Sequence, residues 1–199
     1  MIGIIDYGAG NLNSVFKAVK KLGYEARIIS SPDEIDSVDG YILPGVGAFC
    51  QAMEAIEPFK QALLENIKRG KYILGICLGM QMLFDKSYED GEYEGLGLIS
   101  GEVKHLEVAP LKVPHMGWNK LMINSSDELA DGSEGGYVYF VHSYYACPVD
   151  FNDVKLYSEY GVKVPAMVRR DNIIGTQFHP EKSGEAGMAI LKKFLEMIQ

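Results

Sequence analysis

Cysteine is scarce in this chain: Cys50, Cys77 and Cys147 are its only three, an odd number with no Cys-x-x-Cys spacing. That pattern excludes a disulfide framework and a zinc site built on paired cysteines, and leaves Cys77 expected free. Long apolar runs are missing too. None reaches the length that crosses a bilayer, and Met1-Ile2-Gly3-Ile4-Ile5-Asp6 lacks the basic start and extended apolar centre of a secretory signal. A cytoplasmic protein away from membranes is expected. Positive charge is short, with 19 Lys and Arg against 27 Asp and Glu, a net charge of −8. The basic residues are scattered and form no stripe, so nucleic acid is discounted as a partner. No repeat, low-complexity tract or linker divides the sequence, so residues 1–199 read as one domain, and 47% hydrophobic content suffices for a sizeable core.

What is present alternates. Strand signals at Ile2 to Ile5, Ala26 to Ile29 and Tyr41 to Leu43 are interleaved with a helix from about Asn11 to Leu22. A helix or helix pair follows from Phe49 to Arg69, with Met53, Ile56, Phe59, Leu63, Leu64 and Ile67 apolar, and leads into a short buried strand Lys71 to Leu74. This rhythm predicts an α/β fold with a parallel sheet flanked by helices. The second half changes character. Strand-like segments at Gly97 to His105, Val138 to Val141, Val154 to Glu159, Ala166 to Arg169 and Ile173 to Phe178 are separated by turns and predict antiparallel additions. A helix from Glu185 to Ile198 closes the chain, with Met188, Leu191, Leu195 and Ile198 at helical spacing. The segment Asp6-Tyr7-Gly8-Ala9-Gly10-Asn11 lies between a strand and a helix, as a dinucleotide loop would. Asn13 stands where that loop needs its third glycine, so the segment reads as a tight turn at the sheet's carboxyl edge.

The sharpest signal is Gly75-Ile76-Cys77-Leu78-Gly79-Met80-Gln81, one cysteine between two glycines where an apolar strand turns into a helix predicted to continue through Met82-Leu83-Phe84. It has the form of the Gly-x-Ser-x-Gly nucleophile elbow with sulfur in place of oxygen. Free N–H groups at the start of the helix would enrich the reactive thiolate. A buried cysteine acting as a small hydrophobe is the plain alternative.

A thiol nucleophile needs a base, and the base needs a partner that orients it. Four histidines compete: His105, His115, His142 and His179. Only His179 has an acid placed to help, Glu181 across Pro180, and extended backbone at the residue before proline would project both side chains to one side. Glu181 would then fix the imidazole tautomer and leave the other nitrogen for Cys77. A surface turn with a solvated acid competes until the pair is set beside the elbow. Oxyanion donors are expected from the Leu78 N–H and from Pro44-Gly45-Val46-Gly47, a loop after the strand Tyr41-Ile42-Leu43 whose glycines let a peptide plane turn toward or away from the site.

In the order Cys77, His179, Glu181, with motifs spread from end to end, the chain closely resembles the class I glutamine amidotransferases, whose triad is Cys-His-Glu. The segments Ile4 to Leu12, Leu43 to Phe49, Gly75 to Phe84, Val113 to Asn119, Tyr139 to Tyr145 and Gly175 to Ser183 narrow the resemblance. They are similar to glutaminase subunits whose ammonia passes to a separate (β/α)8-barrel cyclase/synthase subunit. That subunit makes imidazole glycerol phosphate and an aminoimidazole carboxamide ribotide in histidine biosynthesis. The resemblance implies a flavodoxin-like fold, glutamine as substrate, a γ-glutamyl thioester on Cys77, and neither cofactor nor metal. By similarity, Val46 and Leu78 form the oxyanion hole, and Gly45, Gly47, Gln81, Glu89, Ser143 and Tyr144 hold glutamine. Asn11, Trp118, Tyr139 and Lys182 face the barrel subunit, in a heterodimer that is expected to switch the Pro44 to Gly47 loop into its active orientation. Trp118, the single tryptophan, is equally compatible with a core aromatic, and Lys182 with a solvated surface lysine. Ser100 stands where many relatives carry proline, away from every catalytic position. A related subunit serving surface-sugar amidation and a free-standing thiol hydrolase of the same fold are rival readings, as is a catalytically silent interaction subunit, against which the complete triad speaks.

Overall fold

The computed structural model describes residues 1–198. Five strands form a parallel sheet: β1 (Ile2–Ile5), β2 (Ala26–Ile29), β3 (Gly40–Gly45), β4 (Tyr72–Cys77) and, far along the chain, β14 (Ile173–Thr176). Three antiparallel strands, β13 (Lys163–Arg170), β12 (Val154–Glu159) and β9 (Met122–Ile123), extend it to the spatial order β2-β1-β3-β4-β14-β13-β12-β9. The predicted architecture is therefore present, an α/β sheet with its antiparallel part in the second half.

The central strands are apolar throughout because both faces are covered. Along β1 and β3, Ile5, Tyr41 and Leu43 point to α2 (Phe49–Lys68), where Phe49, Ile56, Phe59 and Leu63 pack on them. Ile4 and Ile42, one residue out of phase, point to the other face and meet α1 (Leu12–Lys21) and α4 (Gly184–Glu196) through Val15, Val19, Leu191 and Phe194. The segment Phe49 to Arg69 is a single helix that runs through Pro58, not a pair.

Two smaller sheets lie beside the main one. One has the order β11-β7-β5-β6, from β5 (Phe84–Ser87), β6 (Tyr93–Glu94), β7 (Ile99–His105) and β11 (Tyr144–Pro148). The other pairs β8 (His115–Lys120) with β10 (Tyr137–His142). The predicted helix through Phe84 is cut short here. The helix α3 (Leu78–Gln81) ends after one turn, because Phe84 is fully buried and enters β5, whose partner β7 gives its backbone a ladder. No helix among the described residues is long and apolar enough to cross a membrane.

Candidate active site

Cys77 ends β4 with φ 56° and ψ −110°, in a region that side-chain-bearing residues avoid at a cost of about 1–3 kcal/mol. The flanking glycines make this turn possible. A Cβ on Gly79 would lie 1.8 Å from the Leu43 carbonyl oxygen, and one on Gly75 would lie 2.5 Å from the Gly79 oxygen. Hydrogen at both positions lets α3 sit directly against β3 and β4, and the thiol is presented at the carboxyl edge of the sheet.

His179 Nδ1 lies 2.9 Å from Glu181 Oε1, with both side chains at most 3% exposed. The predicted pair is formed: His179 is extended before Pro180, as expected, at φ −93° and ψ 99°, but the extension stops there. β14 stops at Thr176, and His179 caps a short 3-10 turn, Pro180–Lys182, that carries the carboxylate back under the ring. The His179 N–H donates to the Tyr139 carbonyl at 3.1 Å. Ser183 Oγ donates to the His179 carbonyl at 2.6 Å and accepts the Tyr139 N–H at 2.9 Å. Burial disfavours the imidazolium, yet the Cys77 sulfur and the Glu181 carboxylate outweigh it and push the His179 pKa up to about 9. His179 Nε2 and Glu181 Oε2 are buried without a hydrogen-bond partner among the described residues. The Cys77 thiol instead donates to the Val141 carbonyl at 3.9 Å and accepts from Gln177 Nε2 at 3.8 Å. A direct Cys77–His179 bond is thus open, as catalytic bonds often are without substrate.

A cavity of about 410 Å³ opens over the thiol, lined by Cys77 and His179 and by Val46, Gly47, Leu78, Gln81, Glu89, Ser143 and Tyr144, all singled out from the sequence. Gly45 is absent from the lining. It packs behind the site, where a Cβ would fall 2.7 Å from the Gly79 nitrogen and 2.8 Å from the Tyr7 hydroxyl. Gln81 presents less than expected, because its amide N–H groups are spent on the Tyr144 carbonyl at 2.9 Å and Gln177 Oε1 at 3.1 Å. Glu89 Oε2 accepts the Phe49 N–H at 2.7 Å, and burial raises its carboxyl pKa. Among the described residues no group of three or more His, Cys, Asp or Glu is placed to hold a metal ion.

Four lining or supporting residues carry no role assigned from the sequence: Pro114, Val141, Gln177 and His142, the last of these weighed only as a competing base. The alternation Val138, Phe140, His142 along β10 was the available signal for His142, since it puts that ring on the inward face. Gln177, fully buried beside Phe178, is the kind of polar residue in an apolar run that marks a satisfied internal network.

The opposite face of β8 and β10 carries Trp118, 57% exposed, with its ring edge-on to Tyr139 at 6.2 Å. Trp118 is therefore not a core aromatic. Met116 and Tyr137 are exposed beside it, and Val141 on the same face reaches the cavity. Asn11 is exposed and caps α1 by accepting the Ser14 N–H at 3.3 Å, and Lys182 is exposed on the turn that holds Glu181.

The family model for class I glutamine amidotransferases matches residues 3–198. A protein of Carboxydothermus hydrogenoformans named imidazole glycerol phosphate synthase subunit HisH is 52% identical over 201 residues, covering 100% of both chains. Its namesakes from Methanothermobacter thermautotrophicus, 50% identical with 100% of both chains covered, and from Bacillus subtilis, 46% identical with 99% and 96% covered, are similar throughout. Among solved structures, PurLQS from Thermotoga maritima superposes with a TM-score of 0.79 at 20% identity, covering 100% of this chain and 98% of that one. A structure described as a glutamine amidotransferase gives 0.77 at 19% identity, covering 99% and 98%.

Proposed function

Because the chain belongs to the class I glutamine amidotransferase family, we propose that it is the glutaminase subunit of an imidazole glycerol phosphate synthase, supplying ammonia in histidine biosynthesis to a (β/α)8-barrel subunit. The observation that carries the chemistry is the meeting, in one cavity, of a thiol on a strained strand-to-helix turn and a buried imidazole oriented by a carboxylate.

Glutamine enters with its α-ammonium toward Glu89 and its side-chain amide over Cys77. With the thiol's proton held on His179, whose pKa is raised, the sulfur attacks the amide carbon. The resulting oxyanion takes the Leu78 N–H at the first turn of α3 and a second donor from the Val46–Gly47 segment. Collapse breaks the C–N bond, and the His179 imidazolium protonates the departing nitrogen, which leaves as ammonia. Water, deprotonated by the same imidazole, then attacks the γ-glutamyl thioester and releases glutamate and the thiolate. Glu181 acts on His179 alone, holding its Nδ1 proton and favouring the cation that each cycle needs.

The exposed Met116, Trp118 and Tyr137 face supports docking of the barrel subunit, since it is apolar and runs into the cavity through Val141. The test is glutamine hydrolysis by the chain alone, with the barrel subunit, and with that subunit plus its acceptor nucleotide, each beside Cys77→Ala. The expected result is turnover that rises strongly only in the acceptor-loaded complex and disappears with Cys77→Ala. Equal turnover in all three states, or turnover surviving in Cys77→Ala, would overturn the reading.

A further inference from the structure

Seven residues between the β8–β10 sheet and the thiol are joined by an unbroken line of hydrogen bonds. Asn119 begins it. Its Oδ1 accepts the Lys120 N–H at 2.7 Å and its Nδ2 donates to the Glu159 carbonyl at 3.0 Å, which sets which way the amide points. The same Nδ2 lies 3.2 Å from His115 Nε2, so that nitrogen must accept. His115 Nδ1 therefore carries the ring proton and donates to His142 Nε2 at 3.0 Å. His142 Nδ1 in turn donates to the Tyr144 carbonyl at 2.9 Å, and a carbonyl can only accept. Both ends of the histidine pair thus demand the same tautomers. Reversing either ring would set two lone pairs or two N–H groups against each other at both of its contacts.

From the Tyr144 carbonyl the line continues inward. Gln81 Nε2 donates to that oxygen at 2.9 Å and to Gln177 Oε1 at 3.1 Å, which leaves Gln177 Nε2 facing Cys77 Sγ at 3.8 Å. The interior side chains of the line are enclosed: His115, His142, Gln81 and Gln177 are at most 6% exposed. The His115 ring is stacked on Phe140 at 4.6 Å and on Tyr160 at 4.0 Å, so its plane is held as well as its tautomer. Burial pushes the His115 pKa down to about 4 and that of His142, which also faces His115 and His179, down to about 3, so both rings stay neutral at ordinary pH.

The geometry points to a buried positioning chain in which Asn119, His115, His142, Gln81 and Gln177 tie the β8–β10 sheet to the Cys77 sulfur. It deepens the glutaminase reading and rests on it. None of these side chains performs a step of the reaction. Together they set the Tyr144 carbonyl at the cavity wall and the donor that faces the sulfur, from a strand whose other face bears Trp118. A contact that shifts β8 is thereby transmitted to the nucleophile through side chains whose donor and acceptor roles are each fixed, the two halves meeting at the Tyr144 carbonyl, which accepts from both His142 and Gln81.

The test uses the isolated chain carrying Cys50→Ser and Cys147→Ser, and reads the rate at which iodoacetamide alkylates Cys77 at a fixed neutral pH. His115→Phe keeps the ring stack but removes the donor to His142, and Gln177→Met keeps volume but removes the donor to sulfur. His115→Phe is expected to change the Cys77 rate by about threefold or more, and to lose most of that effect when Gln177→Met is already present. An unchanged rate, or the same factor in both backgrounds, overturns the chain. The unsubstituted protein supplies a second readout that needs no variant to fold. Nitrogen-15 NMR is expected to place the ring proton on Nδ1 in both His115 and His142, and the opposite tautomer in either also overturns it. Alkylation requires no glutamine, so loss of the glutaminase reading and loss of this chain are distinguished.

Discussion

The Tyr139 carbonyl accepts the backbone N–H of His179 at 3.1 Å, and the two residues are also bridged by Ser183 Oγ. Tyr139 stands opposite Trp118 in the β8–β10 ladder. The proposed base is therefore hung from the strand whose exposed face is proposed to meet the partner, one hydrogen bond away.

Ser183 gives a direct measure of that suspension. Ser183→Ala leaves the Tyr139 N–H without its partner in a buried position, at a cost of about 1–3 kcal/mol. Denaturant titration is expected to show the loss. In protein that remains folded, glutamine turnover should fall through kcat with KM little changed.

The His179 charge sets a pH window. Its folded pKa, raised to about 9 from an ordinary 6.5, means that protonation stabilises the fold. The contribution is complete below about pH 6.5 and disappears as pH rises through about 9. Glu181→Gln and Cys77→Ala each remove one of the groups that favour the cation, so an NMR titration should find the His179 midpoint lowered in both. An unmoved midpoint in both variants would contradict the assigned cause.

Glycine at position 79 is required by space. Gly79→Ala sets a methyl group 1.8 Å from the Leu43 oxygen, closer than any rearrangement of a side chain can relieve, because the obstacle is backbone. A destabilisation of about 3 kcal/mol or more is expected, measured as a lowered urea midpoint with an unchanged slope.

Glu89 tests substrate recognition. Glu89→Gln keeps the shape and the acceptor for the Phe49 N–H but removes the charge proposed to face the glutamine ammonium. KM should rise about tenfold or more with kcat nearly constant, the signature of lost uniform binding.

Trp118→Ala separates interface from core. The ring is 57% exposed, so the isolated chain should lose no more than about 0.5 kcal/mol of stability. Affinity for the proposed barrel subunit, measured by calorimetry, should fall by about 2 kcal/mol or more if Trp118 lies in the proposed interface.

Much of this arrangement was written locally. Gly75-Ile76-Cys77-Leu78-Gly79 specifies a strand, a strained turn and a helix start within five neighbouring residues, and His179 to Glu181 needs only a proline-led turn to bring carboxylate to imidazole. The apolar runs of β1, β3 and β4 announce a sheet covered on both faces, because only complete burial tolerates them. Phe84, expected to continue the helix, opens β5 instead, because a short apolar run has no period of its own and its state was decided by the distant ladder with β7.

Sequence order alone thus determined the α/β rhythm, the elbow and the identity of the candidate nucleophile, base and carboxylate, since each rests on contacts within a few residues. Tertiary structure decided that Trp118 is exposed, that Gly45 packs behind the site, and that His115, His142, Gln81 and Gln177 form one polar line to Cys77. Those outcomes depend on strands from opposite ends of the chain meeting in register. Cys77 and Gln177, 100 residues apart in sequence, become neighbours only because β4 and β14 pair side by side.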